Sequence, residues 1–319
     1  MPQLNFMNSI KILDIFIGNK CNLSCLYCDT RSDIIKSKTH DPSIESIIEG
    51  IDLTRKKFRI DNYSVLGGEA LFYLDKVETI AKHIRSFDQK TNILVPTNGR
   101  MIDKKINEIV RLITNYNLTL VICDHFSAFE NQSLSNELKL STNNLISKLN
   151  LNKGSSSDFF NQVLVDAPID SLGDFKKETV YLNQDGRITV FFKSQDEFQA
   201  NYSLSHGAPK PFMTGDPQGS YKTGCCSAFC TFLYDRKLYK CAALGTLKKF
   251  LEYHNSQDDP DWQKYLNYTP LDLTMCSADE ATEFSNNKYK GIEQCDMCPN
   301  TSEHVFYRTP EKVIKLKNV

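Results

Sequence analysis

Residues 21–28 read Cys-Asn-Leu-Ser-Cys-Leu-Tyr-Cys, which places three thiols at a C-x3-C-x2-C spacing directly after an apolar run over residues 10–17. The apolar run predicts a β-strand, and the thiols therefore lie on the loop that follows it. Thiolates this close in sequence can converge on one metal centre if the loop curls around it, and soft sulfur ligands select zinc or iron–sulfur clusters. A [4Fe–4S] cluster held by Cys21, Cys25 and Cys28 alone keeps one iron open for a substrate or cofactor.

The alternative for the same thiols is a zinc knuckle with a fourth ligand from elsewhere in the chain. Asp29 or His40 could supply that ligand. Zinc motifs favour paired C-x2-C units, so the spacing favours a cluster over zinc.

The three-cysteine motif, with Tyr27 before its last cysteine, resembles that of the radical S-adenosylmethionine (SAM) superfamily. This resemblance implies that the open iron is chelated by the amino and carboxylate groups of SAM. Reductive cleavage of SAM then yields methionine and a 5′-deoxyadenosyl radical, which takes a hydrogen atom from the substrate.

Two further segments resemble motifs of the same family and follow in the expected order. Residues 66–69 (Leu-Gly-Gly-Glu) resemble the GGE segment, and residues 97–99 (Thr-Asn-Gly) resemble the T-N-G at the end of the next strand. Either motif alone is usually only a turn. All three together imply that SAM is bound by these candidates: Tyr27, Gly67, Gly68, Glu69, Thr97 and Asn98.

Composition limits the alternatives. The chain has 319 residues, 40% hydrophobic and 24% charged, with a net charge of −1, so bulk charge predicts neither nucleic acid nor a membrane as partner. No apolar run approaches the ~18 residues of a membrane span, and the N-terminus does not have the pattern of a secretory signal. Eleven cysteines at ligand-like spacings favour metal binding in a reducing cytoplasm over disulfides.

Strand and helix patterns alternate from residue 10 to about 195. Strands are predicted over 10–18, 63–66, 92–95, 118–122, 162–165 and 188–192. Helices are predicted to begin at Asp41-Pro42 and at a capping box of Asp75 and Glu78, and to cover 106–113, 137–149 and 175–182. This α/β alternation predicts a parallel sheet. The family resemblance implies a partial (β/α)6 barrel, whose active-site residues lie at the C-terminal strand ends.

Polar residues follow the fourth and sixth predicted strands. Asp124, His125 and Ser127 follow one, and Lys193 closes the other, so we expect all four at the mouth of the barrel. Asp124 and Ser127 are candidates to bind the SAM ribose or the substrate. The alternative is that they are solvated loop residues.

The C-terminal part carries a second group of thiols. The candidate metal ligands there are Cys225, Cys226, Cys230, Cys241, Cys295 and Cys298. Residues 231–234 and 237–240 predict a β-hairpin around Asp235-Arg236, with Cys230 facing Cys241. The alternatives are a zinc site or cysteines buried as small apolar residues. Cys123 and Cys276 stand apart and are expected to be structural.

This C-terminal pattern resembles the SPASM and twitch extensions of radical SAM enzymes, which bind auxiliary [4Fe–4S] clusters. Residues 301–319 contain no cysteine, which favours the shorter twitch form with one auxiliary cluster. The choice among Cys225, Cys226 and Cys230 as ligand stays open, and a spare thiol such as Cys226 could donate a hydrogen atom to a substrate radical. The expected domains are 1–200 (radical SAM barrel) and 201–319 (auxiliary-cluster domain).

The function that these observations favour is a radical SAM enzyme acting on a small polar substrate, such as a carbohydrate or nucleotide. Because 20 residues precede the cysteine motif, we expect no N-terminal peptide-recognition domain, and this favours a small substrate over a peptide. Flavodoxin or ferredoxin is the expected electron donor. One alternative is a peptide (RiPP) maturase that uses a separate recognition protein. Another is a zinc- or iron–sulfur-binding module without catalysis, although such a structural site would be closed by four ligands.

Overall fold

The computed structural model describes residues 8–25, 27–32, 41–126, 132–163, 178–194, 201–205, 208–223, 225, 227, 229–300 and 314–316. Its strands are β1 (Ser9–Ile10), β2 (Ile12–Phe16), β3 (Leu23–Cys25), β4 (Arg59–Ile60), β5 (Asn62–Leu66), β6 (Asn92–Thr97), β7 (Leu118–Asp124), β8 (Asn152–Lys153), β9 (Thr179–Leu182), β10 (Ile188–Ser194), β11 (Ser203–Ser205), β12 (Ala208–Lys210), β13 (Cys230–Tyr234), β14 (Lys237–Tyr239), β15 (Leu271–Asp272) and β16 (Ile314–Leu316).

The helices in these ranges are α1 (Ile44–Lys57), α2 (Leu74–Phe87), α3 (Ile102–Tyr116), α4 (Gln132–Leu149), α5 (Ser156–Gln162), α6 (Pro217–Lys222), α7 (Ala242–Tyr253), α8 (Pro260–Leu266) and α9 (Ala278–Lys288). Short 3₁₀ turns cover Ala70–Tyr73 and Glu293–Met297. None of the helices that the structure describes has an apolar stretch long enough to cross a lipid bilayer.

Most of the described strands form one mixed sheet in the order β15-β14-β13-β2-β5-β6-β7-β10-β9-β8. The six strands from β13 to β10 in this order pair in parallel, and the pairings beyond β13 and β10 are antiparallel. Smaller antiparallel pairs join β3 to β16 and β11 to β12, and β1 pairs in parallel with β4. Five of the six predicted strands are present in this parallel part, which confirms the mixed α/β prediction.

The predicted fifth strand over 162–165 is wrong where the structure describes it. Gln162 ends α5, which begins with a capping box of Ser155 and Asp158. That cap satisfies backbone donors at the first turn and fixes a helix where short apolar runs are ambiguous. Residues 164–165 lie outside the described part.

The predicted helix over 175–182 is also wrong in its described part, because Thr179–Leu182 forms β9. Its sequence, Thr-Val-Tyr-Leu, is typical of strands, and it pairs with β10 in antiparallel register. Pairing with a neighbouring strand decided the conformation here, and the helical spacing did not.

Two helix starts differ from the prediction. Helix α1 is capped by Ser43, whose hydroxyl accepts from the Ser46 N–H, and Asp41 instead accepts from the Asn19 N–H (2.7 Å) and the Tyr73 hydroxyl (2.9 Å). Helix α2 has no side-chain cap bond, because a 3₁₀ turn leads directly into it. The Glu78 carboxylate of the predicted capping box pairs with Arg111 on α3 instead.

Alternation along β2 separates the two faces of the sheet. Leu13 and Ile15 are fully buried against the face covered by α1, α2 and α3. Ile12 and Asp14 point to the other face, where the apolar cluster includes Phe159 stacked on Phe191 with ring centroids 4.0 Å apart. The second face therefore has an apolar floor below the C-terminal strand ends.

The predicted hairpin is confirmed and lies beside the first main strand. Asp235 and Arg236 both have positive φ (47° and 58°), as a two-residue type I′ turn requires. Strand β13 also pairs in parallel with β2, so this C-terminal hairpin continues the main sheet. The β13–β14 ladder ends at the Phe232–Tyr239 pair, and Cys241 is the N-cap of α7. The division into domains at residue 200 stays a prediction.

Candidate active site

We call residues 17–32, which carry Cys21, Cys25, Cys28 and Arg31, the first thiol loop. Its start is held by backbone hydrogen bonds to the Leu-Gly-Gly-Glu segment at the end of β5. The Ile17 N–H donates to Leu66 O (2.9 Å), the Gly68 N–H to Gly18 O (2.8 Å) and the Glu69 N–H to Lys20 O (2.8 Å). This ladder continues the β2–β5 pairing past the strand ends. It fixes the position at which Cys21 leaves the sheet.

Glycine is required at residues 67 and 68 because the thiol loop lies directly against them. A Cβ on Gly67 would lie 2.7 Å from Gly18 O, and one on Gly68 would lie 2.7 Å from the carbonyl oxygens of both Asn19 and Lys20. Real Cβ atoms do not approach backbone this closely. The backbone that approaches Gly68 most closely therefore belongs to the chain itself.

Glu69 joins the second and third motifs. Its carboxylate is 1% exposed; Oε1 accepts from the Thr97 hydroxyl (2.6 Å) and the Leu71 N–H (3.0 Å), and Oε2 accepts from the Asn98 N–H (2.8 Å). Burial raises the pKa of Glu69, and these donors oppose the rise. The carboxylate thus ties the end of β5 to the end of β6.

Asn98 extends this network to the thiol loop. Its side-chain Nδ2 donates to Asn22 Oδ1 (2.7 Å) and lies 3.9 Å from Cys21 Sγ. The structure therefore brings all three sequence motifs into one hydrogen-bonded group. The first and third motifs lie far apart in sequence, since Asn22 and Asn98 are 76 positions apart.

The thiol loop turns sharply after Cys25. Tyr27 and Arg31 have φ of 62° and 52°, a left-handed conformation that is uncommon for residues other than glycine. The Tyr27 ring packs 5.0 Å from the Tyr202 ring, and Cys28 Sγ lies 3.4 Å from the Thr30 hydroxyl. Strained backbone of this kind persists only where its surroundings hold it.

The remaining candidates for SAM binding are only partly described. Asp124 is 1% exposed, and its carboxylate accepts from the Phe126 N–H (2.9 Å) and the Ser135 hydroxyl (2.6 Å), which anchors the start of α4. Ser127 lies outside the described residues. A cofactor-binding role for either residue stays a prediction.

A polar patch lies above the apolar floor on the second face of the sheet. Asp14, in the middle of β2, accepts hydrogen bonds from Ser64 and Cys230. Burial raises the pKa of Asp14 to about 7, against the lowering effect of these two donors. Lys288 acts electrostatically on both Asp14 and Cys230.

Lys193 is the cation of this patch at the end of β10, opposite Cys123 in register. The charge of Cys123 is the largest influence raising the pKa of Lys193, and Glu178 and Asp29 act in the same direction. Burial raises the pKa of Glu178 to about 7 and lowers that of His125 to about 3. The mouth of the sheet thus has a cation, Lys193, that interacts electrostatically with two carboxyl groups and with the imidazole of His125.

The second thiol group consists of Cys225, Cys241, Cys295 and Cys298. Burial is the main cause that raises the pKa of Cys298, followed by the other three thiols. Burial also raises the pKa of Cys295 to about 11, with Cys225 adding to it and Lys240 opposing. Four of the six C-terminal candidates are therefore neighbours.

The other two candidates differ from these four. Cys230 lies on β13 next to Asp14 and Lys288, on the second face of the sheet. Cys226 lies outside the described residues. The structure thus places Cys225 with the thiols of the C-terminal Cys-x2-Cys and Cys230 beside Asp14.

Neither thiol group is arranged as a closed metal site. Within the described ranges, no three or more His, Cys, Asp or Glu side chains are drawn together to hold a metal ion as they stand. The donor chemistry is nevertheless that of a soft-metal centre, and thiols must lose their protons to become ligands. Grouped thiols beside buried cations fit such a centre.

Several residues of these sites were not singled out from the sequence. Asp14 had a signal, since a carboxylate in the apolar strand Ile-Leu-Asp-Ile-Phe has to face something polar. Arg31 and Lys240, which are 1% and 3% exposed, had none, because nothing local marks a basic residue as buried. The hydrogen-bond partner of Arg31, Asn201, lies 170 positions away in the sequence.

A comparison with known protein families matches the part of the chain that carries the first site. Residues 15–134, which carry all three motifs, match the Radical SAM superfamily. The chain thus contains a radical SAM domain, which supports an enzyme of the radical SAM class and implies SAM and a [4Fe–4S] cluster as its cofactors.

A relative is the protein named radical SAM cyclopropyl synthase TigE from Paramaledivibacter caminithermalis (strain DSM 15212 / CIP 107654 / DViRD3). This chain is 28% identical to it over 188 residues, which cover 49% of this chain and 38% of the relative. The matched part thus spans well under half of the relative's length.

Proposed function

We propose that this chain is a radical SAM enzyme that takes a hydrogen atom from a small polar substrate. The observation that carries the proposal is the hydrogen-bonded group that links the thiol loop, Glu69 and Asn98 at the ends of neighbouring parallel strands. Cys21, Cys25 and Cys28 would hold the [4Fe–4S] cluster. When bound, that cluster supplies the electron for cleavage of SAM to methionine and a 5′-deoxyadenosyl radical.

The residues around the loop would hold SAM in place. Gly67 and Gly68 allow the loop backbone to lie against β5, and Glu69 fixes Thr97 and Asn98 at the end of β6. Because both Glu69 oxygens already accept hydrogen bonds, the carboxylate acts here first as a positioning group for its neighbours. We also propose that Tyr27, Asp124 and Ser127 contact SAM.

The polar patch on the second face supports a polar substrate. Lys193, Glu178 and Asp29 offer both a cation and carboxyl groups at the strand ends, and such groups recognise hydroxyls, phosphates or amines. A carbohydrate or a nucleotide fits this chemistry better than an apolar molecule. We further propose a reducing, cytoplasmic setting and a flavodoxin or ferredoxin as the electron donor.

The second thiol group supports one auxiliary [4Fe–4S] cluster in a twitch-like C-terminal region. Cys225, Cys241, Cys295 and Cys298 are the proposed ligands, because these four are neighbours. Cys230 donates a hydrogen bond to Asp14, and we do not propose it as a ligand of this cluster. Cys226 stays a candidate hydrogen donor.

Anaerobic SAM cleavage tests the proposed function. Protein reconstituted with iron and sulfide, given SAM and dithionite, should release 5′-deoxyadenosine and methionine, and a Cys28→Ser variant should release neither. The Cys276→Ser variant is the matched control, since that thiol packs at the edge of the helix-covered core. Zinc in place of iron after anaerobic purification would contradict the enzyme and favour the non-catalytic module.

A second candidate follows from the relative's name, which describes formation of a cyclopropyl group. The 28% identity favours the same type of chemistry here, on a peptide or a small molecule. Joining two C–H carbons into a ring removes two hydrogen atoms from the substrate. One would pass to the 5′-deoxyadenosyl radical, and the other would leave as a proton and an electron, with the proposed auxiliary cluster as the electron acceptor. Mass spectrometry separates this outcome from epimerisation or rearrangement, which leave the mass unchanged.

A further inference from the structure

Two buried cations lie beside the second thiol group. The Arg31 side chain is among the largest that are fully buried, and Lys240 is 3% exposed. Among the described residues no carboxylate oxygen lies within ion-pair distance of either cation, although Asp29 interacts electrostatically with Arg31. Buried charges without a close counter-charge are costly, so two of them near one place need a physical reason.

Arg31 has hydrogen-bonding capacity that the described residues do not use. Its Nη2 donates to Asn201 Oδ1 (3.2 Å), and its guanidinium lies 3.9 Å above the Phe250 ring. Its Nε and Nη1, and Nδ2 of Asn201, are buried with no acceptor in the part of the chain that the structure describes. Buried donors of this kind destabilise a fold if they stay unmatched.

Lys240 is oriented by its backbone contacts. Its Nζ donates to the carbonyl oxygens of Asn287 (2.8 Å) and Lys288 (2.7 Å), and it lies 4.8 Å from the Tyr221 ring centroid. Carbonyl oxygens and a ring face orient an ammonium group but carry no full negative charge. The positive charge of Lys240 therefore stays uncompensated by these contacts.

The two cations act on overlapping parts of the thiol group. Arg31 interacts electrostatically with Tyr202, with Cys241 and Cys298, and with Asp29. Lys240 interacts with Cys295, Cys225 and Cys241. Cys241 and Cys298 also pack in the aromatic cluster that contains Phe250 and Tyr202. Together the two cations reach all four thiols.

A charge balance follows from this arrangement. A dicationic metal core held by four thiolates has a net charge of about −2, whether it is zinc or [4Fe–4S]. We propose that Arg31 and Lys240 are positioning residues that neutralise a metal centre held by Cys225, Cys241, Cys295 and Cys298, and thereby set its reduction potential. This inference rests on the auxiliary centre proposed above. It gives the first thiol loop, which carries Arg31, a direct electrostatic link to the second thiol group.

The experiment isolates the second centre in the Cys21→Ala, Cys25→Ala, Cys28→Ala background of the full chain. After reconstitution with iron and sulfide, the midpoint potential is measured by an EPR-monitored redox titration. Arg31→Gln and Lys240→Gln should each shift the reduction equilibrium at least tenfold toward the oxidised form, about 59 mV more negative for one electron. Arg31→Lys and Lys240→Arg keep the charge and should stay close to the parent.

Arg85→Gln is the matched control. Arg85 is also buried (7% exposed) and also donates to backbone carbonyls, those of Tyr116, Asp88, Thr91 and Asn117, among the helix-covered elements. It should lower stability without moving the potential. A shift of the same size in this control would overturn the proposal, because it would show a general response to lost stability.

The outcomes distinguish this inference from the function on which it rests. Iron bound with an unchanged potential in both neutral variants overturns the charge balance and leaves the auxiliary centre standing. No iron in the triple-alanine parent overturns the auxiliary centre itself. If Arg31→Gln does not fold, the test uses Lys240→Gln, Lys240→Arg and Arg31→Lys. A midpoint potential that is the same in Lys240→Gln and Lys240→Arg would then reject the proposal.

Discussion

The two thiol groups of this protein are held in different ways. The first lies on a loop fixed by backbone hydrogen bonds and by Glu69, with two glycines that admit the loop at van der Waals distance. The second is surrounded by aromatic rings and two buried cations. The first group is thus defined by backbone shape and the second by charge. Substitutions in the first group should act through steric fit, and substitutions around the second group should act through electrostatics.

The largest effect is expected from removal of the first three thiols. The Cys21→Ala, Cys25→Ala, Cys28→Ala variant should lose SAM cleavage entirely and retain about half of roughly eight irons, since two four-iron clusters are proposed. Iron analysis and product chromatography measure both. Retention of all iron would show that this loop is not a metal site.

Single substitutions in the second group should separate ligands from neighbours. Cys225→Ala, Cys241→Ala, Cys295→Ala and Cys298→Ala should each lose about half of the iron and destabilise this region, because metal binding is also folding energy. Cys230→Ala is the matched control and should keep its iron, since that thiol bonds to Asp14. Loss of iron in Cys230→Ala, with retention in Cys225→Ala, would reverse the assignment.

The backbone-defined group should respond strongly to side-chain volume at Gly68. A Gly68→Val change drives a side chain into the Asn19 and Lys20 carbonyls, and we expect a loss of about 3 kcal/mol in unfolding free energy together with weaker SAM binding. Denaturant titration and equilibrium SAM binding measure these. Gly186→Ala is the control, because its Cβ meets nothing within 4 Å and costs only the strain of a positive φ. Equal losses in the two variants would remove the case for close packing at Gly68.

A smaller effect is expected from Glu69→Gln. The change replaces an acceptor by an amide that cannot satisfy the Thr97, Leu71 and Asn98 donors together, at a cost of about 2 kcal/mol. Because this damage falls on the first group, the iron of the second should be unaffected. A loss of iron from both groups would show that they are not independent.

The smallest effect concerns the pH dependence of stability through Glu178. Its folded pKa, about 7, lies above its value in the unfolded chain, so the native state holds a proton that the unfolded state has released between about pH 5 and 7. Stability should therefore fall as pH rises through this window and level off above it. The side chain keeps some solvent contact, which limits the change to about 1 kcal/mol.

Glu178→Gln should flatten this part of the stability curve, as followed by denaturant titrations from pH 5 to 8. The exposed Glu283 on α9 is the matched control, and Glu283→Gln should keep the slope of the parent. A slope that is identical in all three proteins would contradict the assignment to Glu178.

The sequence allowed the parallel core to be predicted because its strands are apolar and its helices have clear apolar stripes. Confirmed examples are β5, β6 and β7 with the helices between them. The wrong predictions concern segments whose structure depends on tertiary pairing. Thr179–Leu182 was predicted to be helical but forms a strand, because it pairs with β10. Local spacing contains no information about such a partner.

The candidate site also has parts that the sequence predicts and parts that it does not. Its three motifs are local and could be recognised from a few residues each. The partners of Arg31 and Lys240, in contrast, are assembled from distant segments, and burial of a cation leaves no local pattern. The choice between Cys225 and Cys230 likewise depended on tertiary placement, because Cys230 lies on β13 beside Asp14 whereas Cys225 precedes this strand and neighbours Cys295 and Cys298.

The pairing of β13 with β2 has a practical meaning for anyone who shortens this protein. Strand β2 is covered by β5 on one side and by β13 on the other, so a chain cut before β13 would present the open edge of an apolar strand to solvent. Exposed edges of this kind recruit other chains. A fragment ending near residue 200 should therefore form aggregates on expression, and the C-terminal hairpin serves the protein as its own protection against self-association.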